Sequence, residues 1–220
     1  MQITKLQDTY TIVVVAKIEA PYYIQASWMR DLDILNNDEW THVQNVIVVP
    51  DTSRFDIGDN ITFYCDKSRI QIGTNDSTKV ARIQSIAEGI ISAMDIPDNL
   101  FQAVGINNEY IFTFLTQEDS VRFGDTFVPL NKWNGMFTTP RVQEFCITDD
   151  SAVNKLEAKK TLKIGSVRVQ KDTSIPIINA NSNYHYKIGS RDEALQVVST
   201  ATENFDEFCR TFTNFVNAIE

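Results

Sequence analysis

The stretch Tyr184-His185-Tyr186-Lys187-Ile188-Gly189-Ser190-Arg191-Asp192 decides how the rest of the chain reads. Its first residues alternate, as in a strand. After Asp192, apolar or small residues recur at Leu195, Val198, Thr202, Phe205, Cys209, Phe212, Val216 and Ile219. Steps of three and four predict one helix over about 191–219. Phe208 and Phe215 fall beside that line and widen the apolar stripe to about 160°. A two-stranded coiled coil needs a narrower seam, so the helix is expected to cover a sheet. Ser190 and Glu193, three apart, have the spacing of a capping box.

Arg69-Ile70-Gln71-Ile72-Gly73-Thr74-Asn75-Asp76 repeats the pattern. Both corners read Ile-Gly-Ser/Thr-x-Asp. The second helix, about 77–94, carries Val80, Ile83, Ala87, Ile90 and Met94 at the same steps. Gly73 and Gly189 are expected to permit the corner, and the Asp or Ser to satisfy free amides of the new helix.

Other segments fill in an α+β chain that is mainly antiparallel sheet. Strands are predicted at 9–20, 22–29, 43–49, 101–114, 141–148, 161–170 and 175–188. Ile61–Cys65 and Arg69–Ile72 read as a hairpin. Loops or breaks are predicted at 30–40, at Asp149-Asp150 and at the Asn-rich 179–183. The chain is then either a single compact body of residues 1–220 or two pseudo-repeat halves, 1–115 and 141–220, joined by an irregular segment 116–140. The corner repeat favours paired halves over a curved sheet wrapping one long helix.

Composition narrows the function classes. The 220 residues carry a net charge of −9, which disfavours a nucleic-acid binder. The N-terminus lacks a secretory pattern, and no apolar run approaches the roughly 20 residues that span a bilayer. Three well-separated cysteines suit a reducing, cytoplasmic compartment, and abundant Ile and Asn are compatible with a virion or mobile-element source. With only His42 and His185, a His-based triad or His-rich metal site is unsupported. Glycine-rich phosphate motifs are missing as well, so no cofactor is expected.

The candidate residues follow from charge and stripe. Lys155, Lys159, Lys160, Lys163, Arg168 and Lys171 form a basic run in an acidic chain. Lys159, Lys160, Lys163, Arg168 and Lys171 are therefore candidate anion contacts, against the plainer reading of lysine guarding an edge strand. Strand parity sets Arg168 opposite Lys163. Phe208 and Phe215 are candidate contacts with another subunit. These features favour an interaction or structural protein that self-associates or binds another protein. A small-ligand cavity lined by Tyr110, Phe112, Tyr184 and Tyr186 is the alternative. A carboxylate/metal enzyme around Asp31 and Asp33 is less favoured.

Overall fold

Strands β1 (Ile3–Ala16) and β6 (Phe101–Phe114) pair antiparallel at the centre of a sheet that has nine strands among the described residues. A computed structural model describes residues 3–128, 132, 135, 136, 144–153, 156–169 and 175–219. β1 owes its place to the β-branched run Ile12-Val13-Val14-Val15, which suits a pleated central strand with Ile12 and Val14 buried on one face and Val13 and Val15 half-exposed on the other. The remaining strands are β2 (Val43–Val49), β3 (Thr52–Ile57), β4 (Ile61–Asp66), β5 (Arg69–Thr74), β7 (Glu144–Val153), β8 (Leu156–Val169) and β9 (Pro176–Lys187). Their order is β2-β3-β4-β5-β1-β6-β9-β8-β7, antiparallel throughout. The fold is α+β.

Connectivity recurs on the two sides of the β1–β6 seam. Each side starts with a long strand, passes through helix, and returns by a meander whose last strand pairs with the first. The helices that follow start at the two matching corners. The corners sit at different levels, however. Gly73 faces Thr11, midway along β1, whereas Lys187, just before the second corner, faces Ala103 near the start of β6. The glycines also differ from expectation. A Cβ at Gly73 would lie 3.0 Å from Thr11 Oγ1 and 3.1 Å from the Tyr10 carbonyl, so close approach of β1, not a turn, requires glycine. Gly189 has no such crowding; its N–H donates to Glu193 Oε2 at 2.6 Å.

The helices lie on one face. They are α1 (Ala26–Asp31), α2 (Asn37–Thr41), α3 (Val80–Ala93), α4 (Gln117–Phe127), α5 (Arg191–Val198) and α6 (Ala201–Asn217). One core joins Ile12, Val14, Phe55, Phe63, Ile72 and Ile106 to Met29, Ile83, Ile90, Val198 and Phe205. A second joins Phe112, Phe114 and Ile178 to Phe123, Phe208, Phe212 and Val216. Phe205 meets Tyr10 edge-on at 5.1 Å. Side chains of the other parity, among them Thr9, Thr11, Gln71, Asn107, Asn181 and Asn183, are half-exposed and make an open sheet face.

The structure departs from the sequence expectations in specific places. The predicted strand 22–29 is a 3₁₀ turn, Pro21–Tyr23, followed by α1; proline fixes the turn, and buried Ala26 and Met29 keep helical spacing. The predicted loop 30–40 contains α2, closed by a complete capping box between Asn36 and Glu39. β3 was not anticipated. The segment 116–140 is not wholly irregular, because Thr116 caps α4 and Phe123 buries its face. Asp149 and Asp150 lie inside β7, opposite Lys160 and Lys159, so cross-strand charge replaces the expected turn. β9 runs unbroken through 179–183.

The single C-terminal helix is in fact two. Ser199 Oγ and Thr200 Oγ1 donate to the carbonyls of Gln196 and Val197, competing with the main-chain ladder. Gln84 of α3 then clamps the break. Its Oε1 accepts from Thr202 N at 3.0 Å and from Thr202 Oγ1 at 2.6 Å, while its Nε2 donates to the Ser199 carbonyl at 3.0 Å.

Candidate interaction edge

Among the described residues, β2 is the outermost strand on its side of the sheet, paired with β3 alone. Val43 packs against the first core, and beyond it the strand leaves cover on both faces. Val46, Ile47, Val48 and Val49 are 58%, 52%, 36% and 47% exposed. A bulge interrupts the ladder between Gln44 and Ile47, where Asn45 takes φ 54° and donates from Nδ2 to Asp56 Oδ2 at 2.7 Å. At the other end, Val49 faces Thr52 across the Pro50-Asp51 turn. That closing pair holds inward hydrogen bonds, so alternation turns the N–H and C=O of Val48 to the free edge.

Tyr22 and Tyr23, 4.4 Å apart, belong to the 3₁₀ turn that packs under β3 and β4, and both are exposed. Natural edge strands are commonly guarded by lysine, proline or inward charge. From Val43 to Val49 there is no charged residue and no proline. The opposite edge, β7, carries Glu144, Asp149 and Asp150. The two ends of the sheet are therefore chemically unlike.

The basic run is divided by the sheet. Lys159 is exposed on the open face, opposite Asp150 and His185. Lys160 turns to the helix side, 4.5 Å over the Tyr184 ring and 3.9 Å from Glu207 of α6. Lys163 pairs with Glu144 at 2.8 Å. A register shift between Ser166 and Arg168 cancels the parity argument that set Arg168 opposite Lys163. Arg168 is described by its main chain alone, and Lys155 and Lys171 lie outside the described residues.

The open face is mostly polar, with Val13 and Val15 of β1 and Ile47 and Val49 of β2 among its aliphatic exceptions. One row takes Gln44, Asp56, Thr62, Gly73, Thr11, Asn107, Asn183, Thr161 and Thr148, one from each strand. Asn179, Asn181 and Asn183 share this face, which is why the Asn-rich run stays in the strand. His185 is exposed there, whereas His42 lies in the α2–β2 corner with Nδ1 2.7 Å from the Asp38 carbonyl.

Beneath α6, Phe208 is 6% exposed within the second core, and Phe215 is 36% exposed beside Phe127. Phe112, Tyr184 and Tyr186 are buried, and Tyr110 packs on Phe212 at 5.5 Å. A polar row also docks this helix. Asn108 Nδ2 donates to the Phe205 carbonyl at 3.4 Å and to Cys209 Sγ at 3.6 Å. Tyr10 donates to Asp8 at 2.8 Å, and Lys5 meets the same carboxylate at 3.0 Å. Burial first, then the Asp8 hydrogen bond, pushes the Tyr10 hydroxyl well above its ordinary range. Burial likewise pushes the Cys65 thiol up to about 12.

The described residues leave a cleft of ≈ 460 Å³ elsewhere, lined by Tyr23, Ile24, Trp28, Met94, Ile96 and Leu100 among others. Asp31 pairs with Arg30 at 2.6 Å, and Asp33 takes φ 56° in the following turn. Among the described residues, no group of three His, Cys, Asp or Glu is placed to hold a metal ion, and no helix is long and apolar enough to cross a membrane. No protein-family model matches the chain, and no curated protein matches it.

Sequence reasoning passed over the edge. Val46-Ile47-Val48-Val49 reads as a buried strand because all four residues are aliphatic, and nothing local says which strand ends a sheet. The signal that separates it from a core strand is its mirror: β7, at the other end, is acidic.

Proposed function

We propose that this chain is an interaction protein, a self-associating subunit of a larger assembly rather than an enzyme, with copies meeting at the β2 end of the sheet. One observation carries the reading: four consecutive branched aliphatic residues stand exposed on an edge strand that carries no charge and no proline. Exposed apolar clusters of this kind mark interaction sites. Sedimentation velocity of the intact chain tests it. The expected result is a species heavier than the 25.0 kDa chain that grows with concentration. A single 25.0 kDa species up to the highest soluble concentration overturns the reading.

One observation favours a second reading, binding of a small apolar ligand: the cleft beside Trp28 has a volume within the range of ligand sites. Titration with a fluorescent apolar probe should then raise the probe's own emission, and the rise should vanish in Ala93→Phe, which sets a large side chain in the cleft lining. A probe whose emission is the same with and without the protein excludes that reading.

A further inference from the structure

We propose that β2 pairs antiparallel with β2 of a second copy across a two-fold axis, joining two nine-stranded sheets into one. This rests on the self-association read above and specifies where and how the copies meet. Main-chain geometry supplies the first argument. The N–H and C=O of Val48 face the free edge, and a strand of the same sequence running the other way presents the same pair in return. The bulge at Asn45 limits the regular segment on one side and Pro50 on the other, so the axis falls at Val48. Ile47 then lies opposite Val49 of the partner subunit, aliphatic on aliphatic.

Charge selects a second β2 over the other available edge. Each copy carries −9, and approach of two such chains is opposed unless the contact itself is neutral. Val43–Val49 has no charge to set against its image. Pairing β2 with β7 would instead desolvate the edge that bears Glu144, Asp149 and Asp150 against a neutral partner. It would also leave an unguarded β2 at the end of every chain and propagate as a filament. The two-fold contact consumes both unguarded edges at once and closes. Its axis stands perpendicular to the sheet, so both helix layers lie on one side and both open faces on the other. The four exposed aliphatic side chains per copy fall short of a full-sized interface of about 800 Å² per partner. Association is therefore expected at micromolar rather than nanomolar concentration.

Val48→Pro tests the main-chain pairing without disturbing the fold, because the N–H it removes points away from β3. Val48→Lys tests the same edge by charge and decides the matter if the proline variant misfolds. Sedimentation of the intact chain should show the wild type dimerising and both variants monomeric, at least tenfold weaker, with unchanged circular dichroism. In a Cys146→Ser background, which removes the exposed native thiol, Val48→Cys should form a covalent dimer under mild oxidation. If the wild type associates but both variants keep its mass and Val48→Cys does not crosslink, the β2 pairing is overturned while self-association stands. A wild type that stays monomeric overturns both.

Discussion

Gln84 is a single side chain that holds two helices. Its amide accepts from Thr202 N and donates to the Ser199 carbonyl, so one residue of α3 satisfies both sides of the α5–α6 break. Gln84→Ala leaves those groups without partners and should cost about 1–3 kcal/mol in urea denaturation. Gln84→Met keeps the bulk of the side chain and loses both hydrogen bonds, so a similar loss is expected. A methionine variant as stable as the wild type would contradict the clamp. The Glu39–Arg82 pair works at the same scale. Arg82 reaches both Glu39 oxygens at 2.6 Å and the Ile34 carbonyl at 2.6 Å, tying α2 and the turn before it to α3. Burial, the largest single influence, opposes ionisation of Glu39, but the Arg82 hydrogen bonds, the Asn36 main-chain N–H and the charges of Arg82 and Lys79 together outweigh it and hold the carboxyl below its usual 4.5. A lowered folded pKa means the unfolded chain takes up the proton first. The pair's contribution is therefore complete above 4.5 and is lost as pH falls below it. Arg82→Met should cost about 1–3 kcal/mol at pH 7 and progressively less in acid, as read from denaturation curves across pH. A penalty that does not change with pH would rule out this origin.

At the scale of elements, α6 shows what periodicity can and cannot reveal. The stripe Phe205, Phe208, Phe212 and Val216 was legible from spacing and is buried on the sheet. The break before it was not, because Ser199-Thr200 tolerates a helix locally and only Gln84, distant in sequence, stabilises the interruption. Phe212 lies among Tyr110, Phe112, Phe208 and Phe215, so Phe212→Ala should destabilise by about 3–5 kcal/mol. Removing 191–220 uncovers β1 and β6 together, and the shortened chain is expected to lose cooperative thermal melting. A truncation that still melts in one sharp transition would show that the helices are dispensable. Strands whose patterning is self-contained, such as β4, β5 and β6, were readable. The ends of β7 and β8 were not, because cross-strand partners such as Lys159 opposite Asp150 stabilise them rather than any local signal.

The whole molecule is a two-layer body with one face of helices and one open polar face, and its two edges differ in kind. Sheet order makes that difference, and sheet order is the property least visible in a sequence: β2 and β7 are edges only because β5 and β9 return to the central seam. The acidic β7 edge discourages pairing, and the neutral β2 edge invites it. Two copies joined at β2 would form a sheet twice as wide, with an open face that is mostly polar and carries an aliphatic strip of Ile47 and Val49 at the seam. Amide hydrogen exchange of the intact chain, followed over a concentration series, tests this most directly. The expected result is slowing at Val48 and its neighbours in β2 as concentration rises, with β7 unchanged. Exchange in β2 that stays fast at every concentration would contradict the account.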